Sequence, residues 1–119
     1  MNKSFTQNTE DGTFIIKYRI SYPITNMNTV RKRTYEECKF DKLEDALNNI
    51  EQVICNTITP YNIAYEITHN REMTNEDILE AKIQCKGDIL YGRKIILKGK
   101  LARNLYQSKI IIFYIENKK

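Results

Sequence analysis

Residues 41–56 read DKLEDALNNIEQVICN. Leu43, Ala46, Leu47, Ile50, Val53 and Ile54 recur at three- and four-residue steps, which draws one apolar stripe along an α-helix. Asp41 at the start and Glu44 three residues on have the form of a capping box, and Asn56 and Thr57 close the segment. The rest of the chain has a different period. Its apolar residues mostly alternate, so the partner for this stripe has to be a sheet.

Phe14, Ile16, Tyr18, Ile20 and Tyr22 alternate with Ile15, Lys17, Arg19 and Ser21, as in a half-buried strand ended by Pro23 and the polar ITNMN. TVRKRTYEEC then returns antiparallel to it. After Pro60, YNIAYEIT alternates again and reads as a third strand over 61–68. Residues 74–87 carry two signals. Thr74 and Asp77 mark a helix start and Gly87 a stop, which supports a short second helix near 74–84. Leu79, Ala81, Ile83 and Cys85 alternate strictly with Glu80, Lys82, Gln84 and Lys86, which favours one helical turn at 74–78 and a strand at 79–86. Gly87-Asp88 supplies a hairpin turn, and the remaining residues form strands broken near Gly92 and around 99–107. The run IIIFYI at 110–115 is apolar on both faces, which places the last strand centrally. The tyrosines at 18, 22, 61 and 65 share strand faces with isoleucine and read as core or core-edge residues.

The expectation is an α+β fold: an antiparallel β-sheet of about five or six strands with one main amphipathic helix, 41–55, packed on one face. Residues 1–12 read as a flexible arm and 13–119 as a single domain. A chain of 119 residues, 41% apolar and 29% charged, can bury such a core without staples. Three cysteines (Cys38, Cys55 and Cys85) with no short spacing argue against a disulfide framework or zinc knuckle and for reduced, mostly buried thiols in a cytoplasmic protein. No apolar segment follows the initial Met-Asn-Lys, so the reading has no signal peptide, and six apolar residues do not span a bilayer, so no membrane partner is expected.

Charge is unevenly spread. Residues 1–35 carry six cations and two carboxylates, 36–85 four and eleven, and 86–119 nine and two. The ends are basic and the middle, which holds the helix, is acidic. If the N-terminal hairpin and C-terminal strands share a sheet, Lys17, Arg19, Arg31 and Arg33 would project from its open face. Lys94, Lys98 and Lys100 would join them, with Tyr35 and Tyr114 as stacking area, and the acidic helix would lie behind. Against this, charges on a solvent face are ordinary and shield edge strands from aggregation.

The sequence gives no catalytic residue, metal ligand set or cofactor motif. His69 stands without a ligand-spaced neighbour and reads as a turn residue, and the glycines are scattered. Glu80-Ala81-Lys82, if on a strand, would place a carboxylate and an ammonium on one face. With Glu66 that outlines a small metal-dependent nuclease. The leading expectation is a non-enzymatic binding protein acting on a protein or ribonucleoprotein through Lys17, Arg19, Arg31, Arg33, Tyr35, Lys98 and Lys100, with direct nucleic-acid binding as the alternative. An edge strand would also allow a homodimer. The Ile, Asn and Lys usage fits an AT-rich genome, and the small size fits an accessory or inhibitory protein of a phage or mobile element.

Overall fold

A computed structural model describes the backbone of residues 12–24, 29–83, 85–102 and 105–118, and the side chains of 12–21, 38–83, 85–99 and 108–118. Five strands and two helices follow in the order β1 (Thr13–Ile24), β2 (Thr29–Phe40), α1 (Leu43–Ile58), β3 (Tyr65–Glu72), α2 (Asn75–Lys82), β4 (Asp88–Ala102) and β5 (Leu105–Lys118). The strands form one antiparallel sheet in the order β2-β1-β5-β4-β3. The chain is therefore α+β, with the apolar β5 at the centre as its two-faced pattern requires. Most of the N-terminal arm lies outside the described residues. Gly12, at its end, takes a φ of 116°, a conformation that favours glycine.

α1 links the two edge strands and so runs across one face of the whole sheet. It buries Ala46, Ile50, Val53, Ile54 and Ile58 against Phe14, Ile16 and Ile20 of β1, Ile111, Phe113 and Ile115 of β5, and Ile95 and Leu97 of β4. Tyr18, Tyr61 and Tyr65 pack at the rim of this core. Glu51 of α1 pairs with Arg93 of β4 and pins the helix over that side. The helix runs past Asn56 because Ile58, four residues after Ile54, extends the stripe. A 3-10 turn, Thr59–Tyr61, then follows. The expected Asp41 cap does not form: Lys42 holds that position, without a side-chain hydrogen bond.

Three further expectations are corrected. The third strand begins at Tyr65, not Tyr61, because residues 62–64 form a turn, and Ile63 stands 98% exposed there. Residues 79–82 are helical, not a strand. The Thr74 hydroxyl accepts from the Asp77 N–H while the Asp77 carboxylate accepts from the Thr74 N–H, and this reciprocal cap outweighs the alternation that follows. None of the three thiols is fully buried: Cys55 faces solvent on the outer side of α1, and Cys38 and Cys85 are half-buried.

Two glycines separate a rigid close approach from a soft one. A Cβ at Gly87 would run into the backbone carbonyl of Asn117, whereas a Cβ at Gly92 would meet only the thioether of Met73. Gly87→Ala is expected to cost about 2–3 kcal/mol, because a backbone has to move, and Gly92→Ala less than about 1 kcal/mol, because a methionine can turn away. Urea titration of both variants checks the ranking, and equal losses would contradict it.

Candidate functional site

The register decides which cations can meet. On β1, Phe14, Ile16, Tyr18 and Ile20 face α1, so Ile15, Lys17, Arg19 and Ser21 face the other way. That second face is not open at its middle, because α2 lies across it. Arg19, only 4% exposed, donates through Nη1 to the Glu80 carbonyl of α2 at 3.4 Å. Lys17 Nζ donates to Glu116 Oε1 at 2.6 Å, and Glu116 is fully buried. Two of the cations expected at the surface are thus held inside, Lys17 by a carboxylate and Arg19 by the helix over it.

β2 carries a bulge. Ile16 stands opposite Cys38, but Lys17 stands opposite Glu36, so Glu37 is the extra residue. Beyond it, positions 33 and 35 pair with Ile20 and Tyr18, whose side chains face α1, and position 31 pairs with Tyr22. Arg31, Arg33 and Tyr35 therefore occupy register positions opposite the α1-facing residues of β1, not beside Lys17 and Arg19 as expected. Their side chains lie outside the described residues, as does that of Lys100. Lys98 is exposed, alternates with buried Leu97 on β4, and stands opposite Glu66 of β3.

The strands nevertheless bring the basic segments to one end. At and beyond the row of Arg19 lie residues 19–24 of β1, 29–34 of β2, 105–112 of β5 and 94–102 of β4. These stretches contain eight cations (Arg19, Arg31, Lys32, Arg33, Lys94, Lys98, Lys100 and Lys109) and no aspartate or glutamate. Three are engaged internally. Arg19 lies under α2, Lys94 bonds Asp77, and buried Lys109 sits 5.4 and 5.2 Å from the ring centres of Tyr61 and Tyr65. The other five positions fall at two places, 31–33 on β2 and 98 and 100 on β4, with β1 and β5 between them, and Lys98 has an interaction partner of its own.

The second face holds the strongest electrostatics. Asp77, near the start of α2, is buried and accepts from Arg71 Nη1 at 3.0 Å, Lys94 Nζ at 3.3 Å, and the Thr74 N–H and hydroxyl, both at 3.0 Å. Burial pushes its pKa up, but these donors outweigh burial and hold it at about 2. Past the C-terminal end of α2, burial raises the Cys85 thiol and the Tyr114 hydroxyl, so both stay protonated near neutrality, and the thiol donates to the Ala81 carbonyl at 3.3 Å. Tyr114 is buried and offers no stacking surface. Sequence reasoning missed Asp77 as an anchor, although the Thr74–Asp77 cap signal was visible.

The nuclease arrangement does not assemble. Glu80 and Lys82 lie two residues apart on a helix, which turns them to different sides, and Lys82 pairs with Asp88. Among the described residues no group of three His, Cys, Asp or Glu side chains could hold a metal ion, and no helix is long and apolar enough to cross a membrane. His69 lies within β3, not in a turn. No protein-family model matches the chain, and neither a curated protein nor a solved structure matches it.

Proposed function

We propose that this chain is a non-enzymatic binding protein whose partner presents a nucleic-acid phosphate backbone, free or within a ribonucleoprotein. The supporting observation is the sheet end formed by β2, β1, β5 and β4, where basic segments distant in sequence converge and the strand carboxylate next to them is Glu66 of β3, opposite Lys98. Such a surface attracts polyanions through Arg31, Arg33, Lys98 and Lys100, and the acidic α1 gives the molecule the opposite polarity elsewhere.

The reading makes a quantitative prediction. Affinity for a labelled oligonucleotide should fall linearly on a log–log plot against salt, and Arg31→Ala/Arg33→Ala should weaken binding and lower the slope by about 2. Fluorescence anisotropy across a salt series measures both, and binding that is absent or insensitive to salt rejects the proposal. A protein partner is favoured instead by one observation: Leu79 on α2 and Ile83 just past its end stand outward at 69% and 82% exposure. Pull-downs with and without nuclease treatment separate the two readings.

A further inference from the structure

α2 is oriented against its own hydrophobicity. A helix on a sheet normally buries its apolar side chains. This one buries Asp77 and Ala81, half-buries Ile78, and leaves Leu79, and Ile83 just past its end, to solvent. It is held by polar ties: Asp77 to Arg71 and Lys94, and the Glu80 carbonyl to Arg19. A segment with so little apolar burial belongs to the low end of local opening energies.

Beneath it lies an ordered row of charge. Arg19 of β1 stands opposite Ile112 of β5, Ile112 opposite Lys94 of β4, and Lys94 opposite Arg71 of β3. Three cations thus cross four strands at one level, all on the α2 side, and among the described residues Asp77 is the one carboxylate bonded to two of them, Arg71 and Lys94. The Arg19 guanidinium is left incomplete. It is buried, and among the described residues its Nε has no partner and its one hydrogen bond goes to a carbonyl. A buried guanidinium without an anion carries an uncompensated desolvation cost. A carboxylate that bridges an arginine and a lysine uses the donors that a phosphate group would take, with fewer oxygens to offer.

We propose that α2 is a displaceable plug: Asp77 holds Lys94 and Arg71 in place of a phosphate group, the Glu80 carbonyl covers Arg19, and a nucleic-acid phosphate backbone takes the row of Arg19, Lys94 and Arg71 when α2 lifts. The row lies at the inner limit of the basic sheet end and shares its face with Lys98, whereas positions 31 and 33 belong to the α1 side, so the exposed site extends the Lys98 part of that end. The class of ligand rests on the function proposed above, while the plug itself rests on the α2 contacts alone.

Two variants loosen α2 differently. Asp77→Asn removes the anion, and Thr74→Ala removes half of the reciprocal cap while keeping every charge. A labelled mixed-sequence single-stranded oligonucleotide is the probe, and thermal unfolding confirms that each variant is folded. Both variants should bind roughly tenfold tighter than wild type, as when a site that is ~10% open becomes mostly open. Adding Arg19→Gln to Asp77→Asn should remove that gain, and α2 amides of the wild type should exchange faster with oligonucleotide present. Unchanged affinity in both variants, or a gain that survives Arg19→Gln, overturns the plug. Wild-type binding that depends on Arg31 and Arg33 but gains nothing from Asp77→Asn rejects the plug and keeps the proposed function. Binding seen only after Asp77 is replaced does the reverse, and no binding by any variant rejects both.

Discussion

Glu116→Ala is expected to lower the unfolding free energy by about 3–5 kcal/mol, the range for breaking a buried ion pair from one side. Glu116 lies on the central strand with no solvent contact. Its Oε1 accepts from Lys17 and its Oε2 from the Gly87 N–H at 3.0 Å. Burial pushes its pKa up, but Lys17 and the backbone N–H groups of Gly87 and Lys86 outweigh burial and hold it below the usual carboxylate range. The alanine variant leaves an ammonium whose side chain is only 15% exposed, and an N–H without its acceptor. Lys17→Met alone should cost a similar amount, because it leaves the carboxylate unpaired. Lys17→Met combined with Glu116→Leu should regain most of the loss, since apolar groups of similar volume replace the pair. Urea titration of the four proteins closes this cycle, and strictly additive losses would contradict the coupling. Because the folded pKa of Glu116 is depressed, its contribution is present above the ordinary carboxylate range and is lost as pH falls through the lowered value. The double variant should lack that part of the acid dependence.

Ile50→Ala should cost about 2–5 kcal/mol, and Leu47→Ala, on the same helix, less than about 1 kcal/mol. Ile50 is buried at the middle of α1 among Phe14, Ile16, Ile111 and Phe113, and its loss leaves a hole that a continuous sheet closes poorly. Leu47, in the same sequence stripe, is exposed. Equal losses at the two positions would mean that α1 does not sit on the sheet as described.

That comparison also marks how far the sequence could be read. The period of α1, the alternation of β1 and the two-faced β5 depend on neighbours a few residues apart, and all three were legible. The end of α1 was misjudged because Asn56 and Thr57 look like a stop, while the burial of Ile58 is decided by the sheet beneath it. Tyr61 and Ile63 alternate like a strand but fall in a 3-10 turn and a tight turn, where period carries no meaning. α2 was ambiguous because hydrophobicity was expected to point inward. There a local cap and an ionic anchor decide the structure, and the apolar residues are left outside. The charged surface was hardest to read. A single extra residue in β2 moves positions 31, 33 and 35 from the row positions of Pro23, Ser21 and Arg19 to those of Tyr22, Ile20 and Tyr18. No pattern within β2 announces that bulge, because it answers to pairing with another strand.

The central place of β5 has a consequence for how the chain is made. β1–β2 and β3–β4 share no ladder, and only β5 joins them, with Thr13 of β1 pairing to Lys118. On the ribosome the last of the five strands is the seam that both halves await. Until it emerges, the nascent chain displays two half-sheets with open inner margins, the kind of edge that recruits neighbouring polypeptides. Productive closure then has to bring together β1 and β5, far apart in sequence, which is slow for entropic reasons.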